Sequence, residues 1–286
     1  MPTPSREVST ALCSKLAGAP AVLAVTVPNN GRLINLSVLT SIASGENFTV
    51  GTVLGGAGTS GTKPLLLRAV GPTLGAAPFN VPGMLADPKL DLFSGTTIVA
   101  SNDDWGGGAA LVAANAQVGA FPFVSATSKD AAVVYSADAS APPVSFTMQV
   151  GGNAGTVGTV LAEIYDSTPA VSVTTTMPRL INVSVLKPIG TGLTAGFVIR
   201  GATPLKVLIR VIGPSLSLFN VSGAIADPKL ELFDSASKSI ATNDDWGGTA
   251  PLNAAFNQVG AFLLGATTKD AALLATLNPE IGRAHV

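Results

Sequence analysis

The sequence predicts an all-β protein made of two tandem β-sandwich, jelly-roll-like domains, the second truncated at its C-terminus. Three observations predict it. A set of motifs occurs twice, about 140 residues apart. Each copy is a series of short alternating or apolar runs bounded by turn residues. The 31 Gly and 20 Pro are spread along the whole chain, as many short strands joined by turns require.

The repeat is visible residue by residue. Arg32-Leu-Ile-Asn-Leu-Ser-Val-Leu39 returns as Arg179-Leu-Ile-Asn-Val-Ser-Val-Leu186. Leu66-Leu67-Arg68 followed by Gly71-Pro72 returns as Leu208-Ile209-Arg210 followed by Gly213-Pro214. Asp87-Pro88-Lys89-Leu90 returns as Asp227-Pro228-Lys229-Leu230, and Asn102-Asp103-Asp104-Trp105 as Asn243-Asp244-Asp245-Trp246. Lys129-Asp130 returns as Lys269-Asp270. The offset falls from 147 residues, Arg32 to Arg179, to 140, Asp130 to Asp270, so the second copy has shorter loops. A period of this length is a whole domain rather than a solenoid repeat.

Within a copy, Lys89-Leu-Asp-Leu-Phe93 alternates, which gives one buried face. Ser94-Gly95 then signals a turn into Thr97–Ala100, and the pair reads as a hairpin. Pro64–Val70 reads as an apolar strand stopped by Gly71-Pro72, and Ala109–Gln117 as one short helix. Ser145–Val150 and Val160–Tyr165 read as a closing pair around a Gly-rich loop. The expected organisation is a leader or linker over 1–26, a first β-sandwich over 27–166, a Ser/Thr/Pro linker over 167–177 and an incomplete second sandwich over 178–280. The first 26 residues make a poor signal peptide, so the native start is expected upstream. Residues 281–286 have no counterpart in the first copy and resemble translated sequencing adapter, so they read as a non-native tail. A sandwich without its closing strands leaves sheet edges open, which lowers its stability and invites association.

Composition excludes several classes of function. Charged residues are 12% of the chain and the net charge is −1, with no basic cluster, so nothing focuses a field on nucleic acid or an acidic membrane. Mean hydropathy is +0.47, yet every apolar run is too short or too broken by Gly, Pro, Asn and Gln to span a bilayer, so no membrane insertion of this segment is expected. One cysteine, Cys13, rules out an internal disulfide and a cysteine zinc site. The single histidine, His285, falls in the tail, so the common nucleophile–base dyads are missing and the chain is not expected to be an enzyme.

Candidate site residues come from the repeated motifs. Asp103, Asp104, Asp244 and Asp245 cluster oxygen ligands on turns, which suits calcium, the one cofactor candidate; the competing account is an Asx turn that caps backbone amides. Trp105 and Trp246, beside those acids, are candidate sugar-stacking residues or core residues. Arg68 and Arg210 sit inside apolar strands and read as structural arginines, each paired with an acid, for which the neighbouring loop aspartate is the candidate.

Together these motifs resemble a repeated module of large exported bacterial proteins of the verrucomicrobial and acidobacterial type, over about Arg32 to Glu280. They are more distantly similar to the β-sandwich domains that follow secreted peptidases. The resemblance implies an extracellular or cell-surface, non-catalytic module that serves as a stalk, adhesion or interaction unit. Its partners would be other domains of the same protein and a glycan or other surface ligand. A carbohydrate-binding module attached to a secreted hydrolase is the alternative.

Overall fold

Short runs with one apolar face become strands, and the computed structural model describes them over residues 29–188, 192–279 and 281–285. The predicted leader over 1–26 and Cys13 lie outside the described residues, as do Glu280 and Val286. In the first copy the strands are β1 (Arg32–Ile42), β2 (Asn47–Gly55), β3 (Thr62–Val70) and β4 (Pro88–Ser94). They continue with β5 (Thr97–Asn102), β6 (Ala131–Asp138), β7 (Val144–Gly152) and β8 (Gly158–Asp166). A one-turn helix α1 (Pro72–Gly75) follows β3, and α2 (Ala109–Val118) separates β5 from β6. The second copy supplies β9 (Arg179–Leu186), β10 (Thr194–Arg200), β11 (Leu205–Val211), β12 (Leu230–Phe233) and β13 (Ser239–Asn243). It ends with α3 (Ala250–Val259), β14 (Ala271–Leu277) and β15 (Ile281–His285). The chain is mostly β, in large antiparallel sheets.

Hydrogen bonding sorts the first copy into two groups of strands. One runs β1-β8-β3-β6 and the other β2-β7-β4-β5. Both groups turn apolar side chains into one core, with Val38, Leu67 and Ile164 from the first and Phe48, Leu92 and Met148 from the second. The β4–β5 hairpin and α2 form where the sequence places them. The closing pair does not hold together as a pair. β7 bonds β2 and β4, whereas β8 bonds β1 and β3 in the other group. The intervening Gly151–Gly158 loop therefore crosses from one group to the other instead of turning a hairpin.

The second copy repeats part of this plan. β12 pairs β13 as β4 pairs β5, and β11 pairs β14 as β3 pairs β6. Residues 281–285, read from sequence as a tail without counterpart, form β15 and bond β10 and β12, the place that β7 takes in the first copy. β11 is different from β3. Its one strand neighbour among the described residues is β14, whereas β3 lies between β6 and β8. Burial follows: seven of nine residues of β3 are buried, and none of β11 is.

The copies meet through their leading strands, in a reciprocal arrangement. β1 pairs β10, with Arg32 opposite Arg200, Leu33 opposite Ile199 and Ser37 opposite Gly196. β9 pairs β2, with Arg179 opposite Gly55, Leu180 opposite Leu54 and Ser184 opposite Gly51. Each ladder shifts register once, passing over Ile34 in one and Ile181 in the other. Leu33 meets Leu180 where the two ladders converge. Equivalent residues thus play equivalent parts on both sides, which is the rule for a two-fold interface.

Candidate functional site

The repeated acidic loop begins at the end of β5. The Asn102 amide donates to the Asp104 carbonyl at 2.8 Å, while its Oδ1 accepts from the Ala132 amide at 2.9 Å. Asn243 does the same with Asp245 (2.8 Å) and Ala272 (2.8 Å). The side chain thus spans the loop and staples it to the strand that follows the Lys-Asp motif; its local bond goes to a carbonyl, not to an amide as the expected Asx turn requires, and the amide it accepts is a distant one. The following tryptophan points inward. Trp105 packs on Phe123 with ring centroids 4.8 Å apart, and its Nε1 donates to Ser125 O and Ser128 Oγ, both at 3.0 Å. Trp246 packs on Phe256, and its Nε1 donates to Gly265 O at 2.9 Å. At 8% and 2% exposure, neither indole offers a face to a pyranose ring.

The aspartates themselves stay at the surface. Asp103, Asp104, Asp244 and Asp245 are all exposed. A lysine from the repeated Lys-Asp motif reaches across each loop. Lys129 Nζ lies 3.2 Å from Asp104 and 3.6 Å from Asp87, and Lys269 Nζ lies 2.8 Å from Asp227 and 3.8 Å from Asp245. An ammonium thus stands where a divalent cation would draw these carboxylates together. Among the described residues no three His, Cys, Asp or Glu side chains group as a metal site. With an ammonium already beside Asp104 and Asp245, millimolar calcium is expected to leave the melting temperature unchanged. A calcium-dependent rise that Asp103→Ala with Asp104→Ala abolishes would instead establish a calcium site.

The next residue of the motif is the buried centre of the loop. Asp130 has no exposed surface. Its Oδ1 accepts from the amides of Gly71 (2.8 Å) and Thr73 (3.2 Å), and its Oδ2 from the hydroxyls of Thr73 (2.5 Å) and Ser128 (2.7 Å). Its carbonyl accepts the Trp105 amide at 2.9 Å. One aspartate, through its carboxylate and its carbonyl, therefore ties the Gly-Pro turn and the tryptophan loop to the start of β6. Asp270 repeats the pattern with Gly213 (2.8 Å), Ser215 N (3.3 Å), Ser215 Oγ (2.5 Å) and the Trp246 amide (2.9 Å). Burial works against the Asp270 charge, yet hydrogen bonds from the Ser215 and Thr268 hydroxyls and the Gly213 and Ser215 amides outweigh it and hold the carboxyl below the usual range. The turn requires glycine, since a Cβ on Gly71 would lie 2.0 Å from the Leu85 carbonyl oxygen, and one on Gly213 2.2 Å from that of Ile225.

Arg68 and Arg210 hold the other repeated feature. Arg68 is wholly buried, with its guanidinium carbon 4.4 Å from the Phe121 ring centre and 4.5 Å from that of Phe123. Its acid is not the loop aspartate expected from sequence. It is Glu163 of β8, 3.2 Å away and opposite Arg68 in the ladder. Burial pushes the Glu163 carboxyl up, against the opposing pull of Arg68 and of the Tyr165 hydroxyl that donates to it at 2.7 Å. Arg210 is likewise held between two rings, Phe256 at 4.6 Å and Phe262 at 4.4 Å. Its Nε and Nη2, like those of Arg68, are buried with no hydrogen-bond acceptor among the described residues, and the Asp270 carboxylate attracts its charge. Sequence reasoning missed Asp130, Asp270 and Glu163, although the repeated Lys-Asp motif signalled the first two. No protein-family model matches the chain, and no curated protein matches it at a significant level.

Proposed function

We propose that the chain is a non-catalytic repeat segment of a larger exported, surface-displayed protein, built as two β-sandwich, jelly-roll-like domains and acting as a structural stalk or interaction unit. The observation that carries this reading is the reciprocal pairing of β1 with β10 and of β9 with β2. Backbone ladders on both sides of the junction resist bending in a way that a flexible Ser/Thr/Pro linker alone does not. The repeated chemistry favours the same reading. Its buried aspartates, its asparagines and its tryptophans are spent on tying loops together and filling the core.

Fluorescence energy transfer tests it. With Cys13→Ser as background, labels at Thr97→Cys and Lys238→Cys, both exposed, report the distance between the copies. A stalk gives one narrow distribution of transfer efficiencies in single molecules. A broad distribution would mean that the copies move independently, and the stalk reading would fall.

A further inference from the structure

At the junction the copies bring their equivalent arginines to one place. Arg32 and Arg179 each precede the leucine of the central Leu33–Leu180 contact. With Lys63 of β3 they line a cavity of about 180 Å³, closed on one side by the linker from Val173 to Pro178. Arg32 is 8% exposed and Lys63 1%. Lys63 Nζ is held by Asp166 at 2.6 Å and donates to Thr168 Oγ1 at 2.9 Å. Arg32 donates from Nη1 to Asn29 Oδ1 at 2.8 Å, and its buried Nε has no acceptor among the described residues.

The charges there do not balance. Among the described residues three cations face one carboxylate, that of Asp166, and Arg200 lies opposite Arg32 on β10. Burying unpaired positive charge is costly, and an unsatisfied guanidinium donor adds to the cost. Burial depresses the Arg32 guanidinium and the Lys63 ammonium; Asp166 pulls both back up, and the neighbouring cations push them down, Arg200 the first and Arg32 and Arg179 the second. A bound anion would offset the excess positive charge. Guanidinium forks match the paired oxygens of an oxyanion, and the cavity is of a size for a free ion with a little water.

We infer that this cavity is a binding site for a free inorganic oxyanion of the sulfate or phosphate class, held by Arg32, Arg179 and Lys63 at the meeting of the two copies. The site needs both copies, since each gives one arginine. Occupancy would therefore cement the junction.

Isothermal titration of the full chain tests it, with sodium sulfate and sodium phosphate as ligands and sodium chloride at matched ionic strength as reference. Saturable binding of sulfate or phosphate beyond the chloride signal is expected. Arg179→Gln should weaken it by about tenfold or more, the loss of one charged hydrogen bond, while Lys269→Gln, on the far loop, should leave it unchanged. Arg179 is half-buried, so this variant is expected to fold, as a thermal melt would verify. Should it not, Arg179→Lys, which keeps the charge and loses the planar fork, gives the second comparison. No saturable heat with either anion would overturn the inference. So would binding that survives both Arg179 variants undiminished, as this would describe general anion adsorption.

Discussion

Arg68→Met is expected to destabilise the chain by about 3–5 kcal/mol, whereas Arg210→Met should cost clearly less. The two arginines occupy equivalent positions between two aromatic rings. They differ in what else surrounds them. Removing Arg68 strands Glu163, a buried carboxylate whose remaining partner is the Tyr165 hydroxyl. Removing Arg210 takes away a charge that attracts the buried Asp270 carboxylate, but that carboxylate keeps its hydrogen bonds from Gly213 and Ser215. A methionine fills either slot between the rings with an apolar, adaptable chain. Urea denaturation gives the magnitudes. Adding Glu163→Leu to Arg68→Met should recover most of the loss, because a buried pair replaced as a whole leaves no orphaned charge. Equal losses at Arg68 and Arg210 would show that ring stacking, not the ion pair, dominates.

Asp130→Ala is the second change with a large expected effect. It leaves the amides of Gly71 and Thr73 and the hydroxyls of Thr73 and Ser128 without their buried acceptor. Each such donor costs on the order of 1–3 kcal/mol, so a loss of about 3–5 kcal/mol is expected after local relaxation. Hydrogen exchange should show it first at the Trp105 amide, which bonds the Asp130 carbonyl. Asp270 extends the argument to pH. Its carboxyl is held below the usual range, so its contribution is present above the unfolded carboxylate value of about 3.9 and is lost as pH falls through the folded value. Fluorescence of the buried Trp246 should follow that loss below about pH 4, and Asp270→Asn should flatten its acid dependence. An unchanged acid limb in Asp270→Asn would assign the acid sensitivity elsewhere.

Local features were legible in the sequence and distant pairings were not. Alternation in Lys89–Phe93 and the Ser94-Gly95 turn fix the β4–β5 hairpin because both signals lie within a few residues. The Asn-Asp-Asp-Trp loop was legible only in part: Asn102 does bond the backbone two residues on, but as donor to a carbonyl, and the amide it caps belongs to distant Ala132. Glu163 could not be assigned to Arg68, because ladder register depends on strands far apart in the chain, and any acid within reach of a loop competes as a candidate. The β7–β8 loop had the turn residues of a hairpin, and only the shared core decides that its strands part to opposite sides. Asp130 stood in a visible motif without a role, as its amide partners lie in a turn fifty-odd residues earlier. The reciprocal junction left no local trace at all, because the residues that form it are ordinary strand residues used twice.

That junction also changes what dilution can do. Two separate polypeptides joined by the same ladders would fall apart as their concentration dropped. Here residues 167–177 connect the two sides covalently, so each side meets the other at an effective concentration on the order of millimolar, whatever the bulk value. The association between copies is thus an intrachain equilibrium, set by the length of the tether and not by how much protein is present.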